Sequence, residues 1–257
     1  MSASATQTAL YVYGVVALRD VPSLEQDPAV EIVQEDALAA ITRVVSLDEY
    51  GEDTLRENLN DREWLEENAR AHEDVLLAVA AVADVVPFRF GTICRTADDV
   101  RALLAEQRDA LTAGLERIRG CVELGVKLWA DRDRVEAALA PQEPAAESGR
   151  AYLEARRNEQ RRAADIQAMC NEVARGAYDR LLRLAVAGVV NRPQPRELTG
   201  RTEDMLLNAA FLVTAGDRSI AEEVERLDRE LRDLGFSVEV TGPWPAHNFV
   251  AAEGEAE

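Results

Sequence analysis

Apolar and polar residues in the first part of the chain follow two different periods. Residues 10–18 are mostly β-branched and aromatic, which predicts a strand, and weaker strands are predicted at residues 30–34 and 38–46. From residue 61 to residue 83 the apolar positions recur at steps of three and four, as on one face of an amphipathic helix. We therefore predict a small sheet with a helix packed against it.

A further strand and helix follow in the same part of the chain. Residues 85–90 form a short apolar run, which predicts a buried strand. Thr96 then precedes Asp98 and Asp99, and acidic residues of this kind stabilise the first turn of a helix. One helix is therefore expected after Thr96, ending at about residue 119.

The second half of the chain alternates strands and helices in the order β-α-β-β-α-β. The predicted strands are residues 121–130, 186–192, 206–214 and 236–241, and the predicted main helices are residues 149–187 and 219–234. A short helix at residues 131–139 and a linker at residues 141–148 are expected between the first strand and the long helix. This order of elements is the ferredoxin-like pattern.

These elements predict an α+β fold of two domains. An N-terminal α+β domain is expected over residues 1–119, and a C-terminal ferredoxin-like domain with one long helix over residues 120–250. Residues 251–257 are small and acidic, so a flexible tail is expected there.

The charge of the chain argues against two classes of partner. It has 48 acidic residues against 29 basic ones, a formal net charge of −19. Such a chain is repelled by nucleic acid phosphates and by anionic lipid headgroups, so neither nucleic acid nor membrane is expected as a partner. The apolar runs are shorter than the roughly 20 residues of a membrane-spanning helix, and the first residues do not form a secretion signal. A cytoplasmic location is therefore expected.

The residue types that carry most enzyme chemistry are sparse in this sequence. It contains three cysteines, Cys94, Cys121 and Cys170, and two histidines, His72 and His247. The cysteines are not spaced for a disulfide framework or a zinc site, and the common nucleotide-binding and hydrolase motifs are absent. We therefore expect no catalytic site, no metal and no other cofactor.

A few residues nevertheless keep an enzymatic alternative open. Cys94 with His72 or His247 would pair a nucleophile with a base, although a lone thiol is more often an inert core residue. His72 falls on the apolar stripe of its helix, where it is either a hydrogen-bonded core histidine or a pH-sensitive switch. Arg89, on the predicted strand, either binds an anion or pairs with one of the many acids.

One local cluster runs against the acidic charge of the whole chain. Arg156, Arg157, Arg161 and Arg162 fall within seven residues of the predicted long helix. Helical spacing brings three of them to one flank. This basic strip is either a solvated face that forms ion pairs along the helix or a docking strip for an acidic segment of a partner protein.

Six short segments occur in a characteristic order along the chain. They are DEYG at 48–51, WLEE with RAHE inside 64–73, VPFRFGT at 86–92, GVKLW at 125–129, NAAFLV at 208–213 and TGPWPAHNF at 241–249. In this order they resemble the gas vesicle accessory protein family GvpL/GvpF, over about residues 10–250. One departure is visible: Ala246 and His247 stand where the resemblance leads us to expect an aromatic residue.

The resemblance implies a cytoplasmic, gas vesicle-associated protein without enzymatic activity that is needed to form gas vesicles. It also implies two α+β domains, the C-terminal one ferredoxin-like, and contacts with the hydrophobic major shell protein and with other accessory proteins. An acidic protein of this kind could keep an apolar shell subunit soluble before assembly, since exposed apolar patches aggregate and high net charge opposes association.

Two surfaces are candidates for partner binding. One is the basic strip, and the other is the aromatic turn that contains Trp244 and Phe249. The alternative for these two aromatic residues is that they cap the core of the second domain. The alternatives for the whole chain are a small-ligand-sensing or scaffolding ferredoxin-like module and, less favoured, a Cys- or His-dependent enzyme.

Overall fold

The computed structural model describes residues 7–24, 30–139 and 149–250, without the side chains of residues 149–160 and 198. The predicted linker at residues 141–148 and the predicted tail at residues 251–257 lie outside the described residues. The fold is α+β with two antiparallel sheets. The prediction of an α+β fold is therefore confirmed.

The strands and helices alternate along the described chain. The strands are β1 Thr8–Ala17, β2 Glu31–Glu35, β3 Leu38–Ser46, β4 Val85–Pro87, β5 Ile93–Cys94, β6 Cys121–Ala130, β7 Ala187–Asn191, β8 Asp204–Thr214 and β9 Phe236–Trp244. The α-helices are α1 Leu47–Tyr50, α2 Glu52–Asn58, α3 Arg62–Ala80, α4 Ala97–Glu106, α5 Arg108–Arg117, α6 Arg132–Leu139, α7 Gly149–Leu182, α8 Arg196–Thr199 and α9 Ser219–Leu231. Short 3-10 helices cover Leu18–Ser23, Arg232–Leu234 and His247–Phe249.

The first sheet is built around β1. Its order is β2-β3-β1-β4, and β5 also pairs with β1. β1 runs antiparallel to β3 with Leu10 opposite Val44, and the register shifts between Val12 and Gly14. A Cβ atom on Gly14 would lie 2.8 Å from the carbonyl oxygen of Val86, so the backbones approach closely at this point. A glycine is needed there because the strands leave no room for a side chain.

Helix α3 packs on the first sheet through the apolar face that the sequence predicts. In α3 the residues His72, Leu76 and Val79 are buried, and Leu76 and Val79 join the core formed with β1, β3 and β4. The helix begins at Asp61, whose side chain accepts hydrogen bonds from the backbone N–H groups of Glu63 and Trp64. These bonds satisfy donors that have no partner inside the helix.

The single helix expected after Thr96 is in fact two helices. Thr96 begins α4 as expected, through a capping box with Asp99. The helix ends at Gln107, where the backbone leaves helical geometry at φ −99° and ψ 12°, and α5 begins at the next residue. No glycine or proline marks this break, so the sequence pattern runs through it.

The second sheet has the order β7-β8-β6-β9. Residues of β6 and β8 form most of its buried surface, including Leu128, Phe211 and Leu212. The helical segment before β9 ends at Gly235, as expected, with the left-handed conformation (φ 89°) that favours glycine.

The described chain divides into two compact units. The first contains the residues up to Val122 together with Trp244 and the residues that follow it, and the second contains Glu123–Pro243. The last described segment of the chain therefore belongs to the same unit as the first strand.

Candidate functional site

The structure describes half of the basic strip. Arg161 and Arg162 are exposed on α7, while the side chains of Arg156 and Arg157 lie outside the described residues. All five residues from Arg161 to Asp165 are exposed, which is more than one helical turn. Within the described chain, this turn of α7 is therefore open to solvent on every side.

The aromatic turn divides into one surface residue and one interior residue. Trp244, at the end of β9, is 36% exposed, whereas Phe249 is 5% exposed. The carbonyl oxygen of Phe249 lies 3.5 Å from Nη1 of Arg117, which donates to it within the first unit. The alternative for Phe249 was that it caps the core of the second domain. It is buried, but it belongs to the first unit. Partner binding by Trp244 or Phe249 stays a prediction.

The proposed cysteine–histidine pair has no hydrogen bond in the described residues. His72 contacts Tyr11, and His247 contacts Glu73, with Nε2 3.2 Å from one carboxylate oxygen. Burial raises the pKa of the Cys94 thiol above its ordinary value, and nearby Asp99 raises it further. A thiol shifted in this direction forms less thiolate at neutral pH and is a poorer nucleophile.

A pocket that the sequence analysis did not predict lies in the first unit. It has a volume of about 370 Å³ and opens between β1, β3, α1 and α3. Its lining residues are Tyr11, Tyr13, Arg43, Val44, Val45, Ser46, Glu49, Tyr50, Asn68, Ala71, His72 and Phe90. We call it the aromatic pocket.

The walls of the aromatic pocket are rings in mutual contact. Tyr11 contacts Tyr13, Tyr50 and Phe90 at centroid distances of 4.8, 5.8 and 6.1 Å, the last two edge-on. The His72 ring stacks on Tyr13 at 5.5 Å. Edge-on and offset contacts of this kind are favourable for aromatic side chains and hold each ring in place. The pocket is therefore preformed.

Hydrogen bonds fix the polar atoms at the base of the pocket. The backbone N–H of Gly91 donates to the Tyr11 hydroxyl at 3.0 Å, and Nδ1 of His72 lies 2.9 Å from the same hydroxyl. The hydroxyl of Tyr50 donates to Oδ1 of Asn68 at 2.7 Å. Because the Tyr11 oxygen accepts from Gly91, its own proton is available for His72 Nδ1.

Burial keeps the interior of the pocket uncharged near neutral pH. It raises the pKa of Tyr11 well above its ordinary value of 10.0 and raises the pKa of Tyr50 to about 12. It also lowers the pKa of His72 below its ordinary value of 6.5. Formal charge at the pocket is therefore carried by the exposed residues Arg43 and Glu49.

The polar groups at the base of the pocket are neutral near pH 7. This base consists of neutral phenol, imidazole and amide groups that hydrogen-bond to one another, while Nε2 of His72 is buried without a hydrogen-bond partner among the described residues. Within the described residues, no group of three or more His, Cys, Asp or Glu side chains is placed to hold a metal ion. Among the described helices, none combines the length and hydropathy that a transmembrane span requires.

The sequence contained a signal for this pocket that periodicity could not interpret. Tyr50, His72 and Phe90, which line the pocket, all lie in the segments that carry the family resemblance. They are far apart in sequence, and their meeting point depends on how β1, α1 and α3 pack. Hydrophobic period identifies each element but not the contacts between elements.

Comparison with known proteins places these features in a family. A family model described as gas vesicle synthesis protein GvpL/GvpF matches residues 9–251. The chain is 35% identical to gas vesicle protein L of Streptomyces sp. (strain CB03234) over 228 residues, 87% of this chain and 84% of that protein. It is 25% identical to gas vesicle protein F1 of Halobacterium salinarum over 247 residues, 94% of this chain and 92% of that protein.

Two solved structures share the fold. The gas vesicle protein GvpF from Anabaena sp. PCC7120 superposes with a TM-score of 0.70 at 19% identity, covering 95% of this chain and 97% of that one. GvpF from Microcystis aeruginosa superposes with a TM-score of 0.66 at 20% identity, covering 95% and 99% of the two chains.

Proposed function

This chain belongs to the GvpL/GvpF family of gas vesicle synthesis proteins, and on that premise we propose that it binds other vesicle components during gas vesicle formation. The proposed partners are the hydrophobic major shell protein and other accessory proteins. The proposed role is chaperone-like or that of a minor structural component, without catalysis, in the cytoplasm at the site of vesicle formation. The observation that carries the proposal is the family match over residues 9–251.

The net charge of the chain supports a solubilising role. A subunit that assembles into a gas-filled wall exposes apolar surface before it polymerises, and such surface aggregates. A bound chain with a net charge of −19 makes the complex strongly negative, so that complexes repel one another.

The exposed turn of α7 supports partner docking at the basic strip. Arg161 and Arg162 are exposed on α7, so acidic groups of another protein can reach them. Arginine pairs with carboxylates through two parallel N–H···O bonds, which gives such a contact orientation as well as affinity.

The aromatic pocket supports a second contact in the first unit. The pocket has a volume of about 370 Å³ and a mainly polar accessible lining, with buried aromatic rings beneath it, so it is suited to a partner side chain that offers hydrogen-bonding groups. Ala71 lies at the pocket on an exposed position of α3, so a larger residue there would fill the pocket from outside.

We also propose that the second unit is a ferredoxin-like domain. Its strands and main helices follow the order β6-α7-β7-β8-α9-β9, apart from the short α6 and α8. Its sheet order, β7-β8-β6-β9, places the first and third strands at the centre, as that topology requires.

The test is co-expression of the major shell protein with this chain in a host without gas vesicles, followed by pull-down. We expect soluble shell protein to be retained by the wild-type chain. Failure to retain either the shell protein or any accessory protein, even with the full accessory set present, would overturn the proposal.

Two sets of variants locate the contact. Changing Arg156, Arg157, Arg161 and Arg162 to Glu is expected to reduce retention at least tenfold. The matched control changes Arg19, Arg56, Arg62 and Arg119 to Glu, since these exposed arginines give the same change in net charge elsewhere. Equal loss in both sets would show that only net charge matters.

The pocket is tested separately by filling it. Ala71→Trp is expected to reduce retention, with Ala78→Trp as the control because Ala78 is also exposed on α3 but is not at the pocket. Unchanged retention by the folded Ala71→Trp variant would exclude the pocket as a contact.

A further inference from the structure

The edge strands of the two sheets differ in how they are protected. Exposed edges invite pairing with other chains, and proteins usually place charges or prolines on them. β2 carries Glu31 and Glu35, and β9 carries Glu239 and Pro243. β4 has three residues and ends in a proline. β7, the remaining long edge of the described sheets, reads Ala-Gly-Val-Val-Asn and has neither a charge nor a proline.

The most exposed large apolar side chains of the described chain lie at this edge. Val186, directly before β7, is 62% exposed, and Val190 within β7 is 57% exposed. Leu182, the last residue of α7, and Leu184, in the connection that follows, are 37% and 40% exposed. An uncharged edge beside such a cluster is typical of a surface that pairs with another strand.

The two valines are placed symmetrically on the strand. Val186 and Val190 lie two residues before and two residues after Gly188, so all three positions are on the same face of the sheet. A Cβ atom on Gly188 would lie 2.9 Å from Cδ1 of Leu182, which shows that α7 covers the centre of this face. The valines therefore flank the covered centre.

This symmetry makes β7 complementary to itself. If two copies pair antiparallel with Gly188 opposite Gly188, then Val186 of each copy lies opposite Val190 of the other. β-Branched apolar residues directly opposite each other stabilise a sheet. A two-fold axis forms both pairs at once, as in the commonest class of homodimer.

We propose that β7 is a homodimerisation edge, at which a second copy of this chain adds its own β7 antiparallel, with Gly188 on the two-fold axis. The two four-stranded sheets become one sheet of eight strands. This inference does not depend on the proposed role in gas vesicle formation.

The dimer is weak because the strand is short. Five paired residues bury less than the roughly 1,200 Å² of a stable interface, so we expect a dissociation constant on the order of 100 µM. Each copy carries a net charge of −19, and their repulsion is screened by salt. Dimerisation is therefore expected to strengthen at higher ionic strength.

Sedimentation equilibrium of the purified chain from 5 to 500 µM measures the association. We expect a monomer–dimer equilibrium in the wild type and at least tenfold weaker association in the Val186→Lys/Val190→Lys variant, where lysines face each other. The control is Leu59→Lys/Val82→Lys, two apolar residues of the first unit that are 42% and 47% exposed. A monomeric wild type at 500 µM, or a dimer unaffected by the β7 lysines, would overturn the proposal.

The register is tested by oxidative cross-linking in a chain whose Cys94, Cys121 and Cys170 are changed to Ala. Val186→Cys and Val190→Cys are made separately and then mixed. Opposite residues in antiparallel strands have Cα atoms about 4.5–5.5 Å apart, within disulfide range. Identical positions lie about 13 Å apart, beyond that range. We expect cross-linking in the mixture and not in either variant alone, and the reverse result would exclude this register.

Discussion

The hydroxyl oxygen of Tyr11 lies 2.9 Å from Nδ1 of His72, in the interior of the first unit. The contact joins the central strand β1 to helix α3, across 61 positions of sequence. When the hydroxyl donates its proton to Nδ1, the ring's own hydrogen is on Nε2.

Removing this hydroxyl is expected to destabilise the first unit. In Tyr11→Phe the N–H of Gly91 and Nδ1 of His72 both lose their partner in a buried site. We expect the free energy of unfolding to fall by about 1–3 kcal/mol, measured by chemical denaturation. Tyr50→Phe is the control: among the described residues the Tyr50 hydroxyl bonds to the half-buried Asn68, and its loss should cost about 1 kcal/mol or less. Equal costs would contradict the role given to Tyr11.

His72 is expected to make stability depend on pH in the weakly acidic range. Burial lowers the pKa of the folded-state imidazole below 6.5. Between pH 6.5 and that lower pKa, the unfolded chain binds a proton at this position that the folded chain does not bind. The free energy of unfolding therefore falls as the pH falls, by at most about 1.4 kcal/mol per pH unit, and the contribution is complete above pH 6.5.

The measurement uses the small number of histidines. In a His247→Gln background His72 is the only histidine. Denaturation between pH 5 and 7 is compared with and without the further change His72→Gln. We expect the slope to be smaller without His72, and identical slopes would show that its pKa is not lowered by folding.

Gly14 is expected to tolerate no side chain. A Cβ atom there would meet the Val86 carbonyl oxygen at 2.8 Å and Val85 Cγ2 at 2.9 Å. Gly14→Ala should therefore lower the free energy of unfolding by about 1–3 kcal/mol, measured by thermal or chemical denaturation. Gly176→Ala is the control: nothing lies within 4 Å of a Cβ atom at this helical position. It should raise stability by up to about 1 kcal/mol. A neutral Gly14→Ala would mean that β1 and β4 are not this close.

Arg180 is expected to matter more than an ordinary surface arginine. It lies 2.5 Å from Glu223, whose side chain is only 8% exposed and which also pairs with Arg226. Arg180→Met removes one partner of a buried carboxylate and should lower the free energy of unfolding by about 1–3 kcal/mol. Arg62→Met breaks an exposed pair with Glu66 and should cost about 0.5 kcal/mol or less.

A double substitution tests the same network. Arg180→Met leaves the buried Glu223 carboxylate with one partner fewer. Replacing Glu223 by Leu as well removes that carboxylate. Arg180→Met/Glu223→Leu is therefore expected to be more stable than Arg180→Met alone by chemical denaturation. If the double variant is as unstable as the single one, the loss in free energy of unfolding comes from lost packing of the Arg180 side chain.

The sequence pattern predicted the main elements because each has a clear period or end signal. The predicted strands at residues 38–46 and 121–130 have the observed bounds, and the helix end at Gly235 has the expected left-handed conformation. The break at Gln107 was missed because no residue type marks it. The strand predicted at 85–90 ends at Pro87, and the two-residue β5 was not predicted at all.

The candidate site was harder to predict than the fold. Its rings come from β1, α1, α3 and the turn after β4, and contacts between elements do not follow from the period within each. The sequence left two alternatives for His72, a hydrogen-bonded core histidine or a pH-sensitive switch. Its burial and its hydrogen bond to Tyr11 support the first. The exposure of Val186 and Val190 could not be predicted, because it depends on β7 being an edge strand and the sequence pattern does not give the order of strands in a sheet.

The membership of Trp244–Val250 in the first unit has a consequence for how the chain is made. Ala246 and Phe249 are buried, and His247 contacts Glu73 on α3. During synthesis the ribosome releases β1–β5 and then the whole of Glu123–Pro243 before these residues emerge. The first unit, whose synthesis begins before that of Glu123–Pro243, is therefore completed only after it.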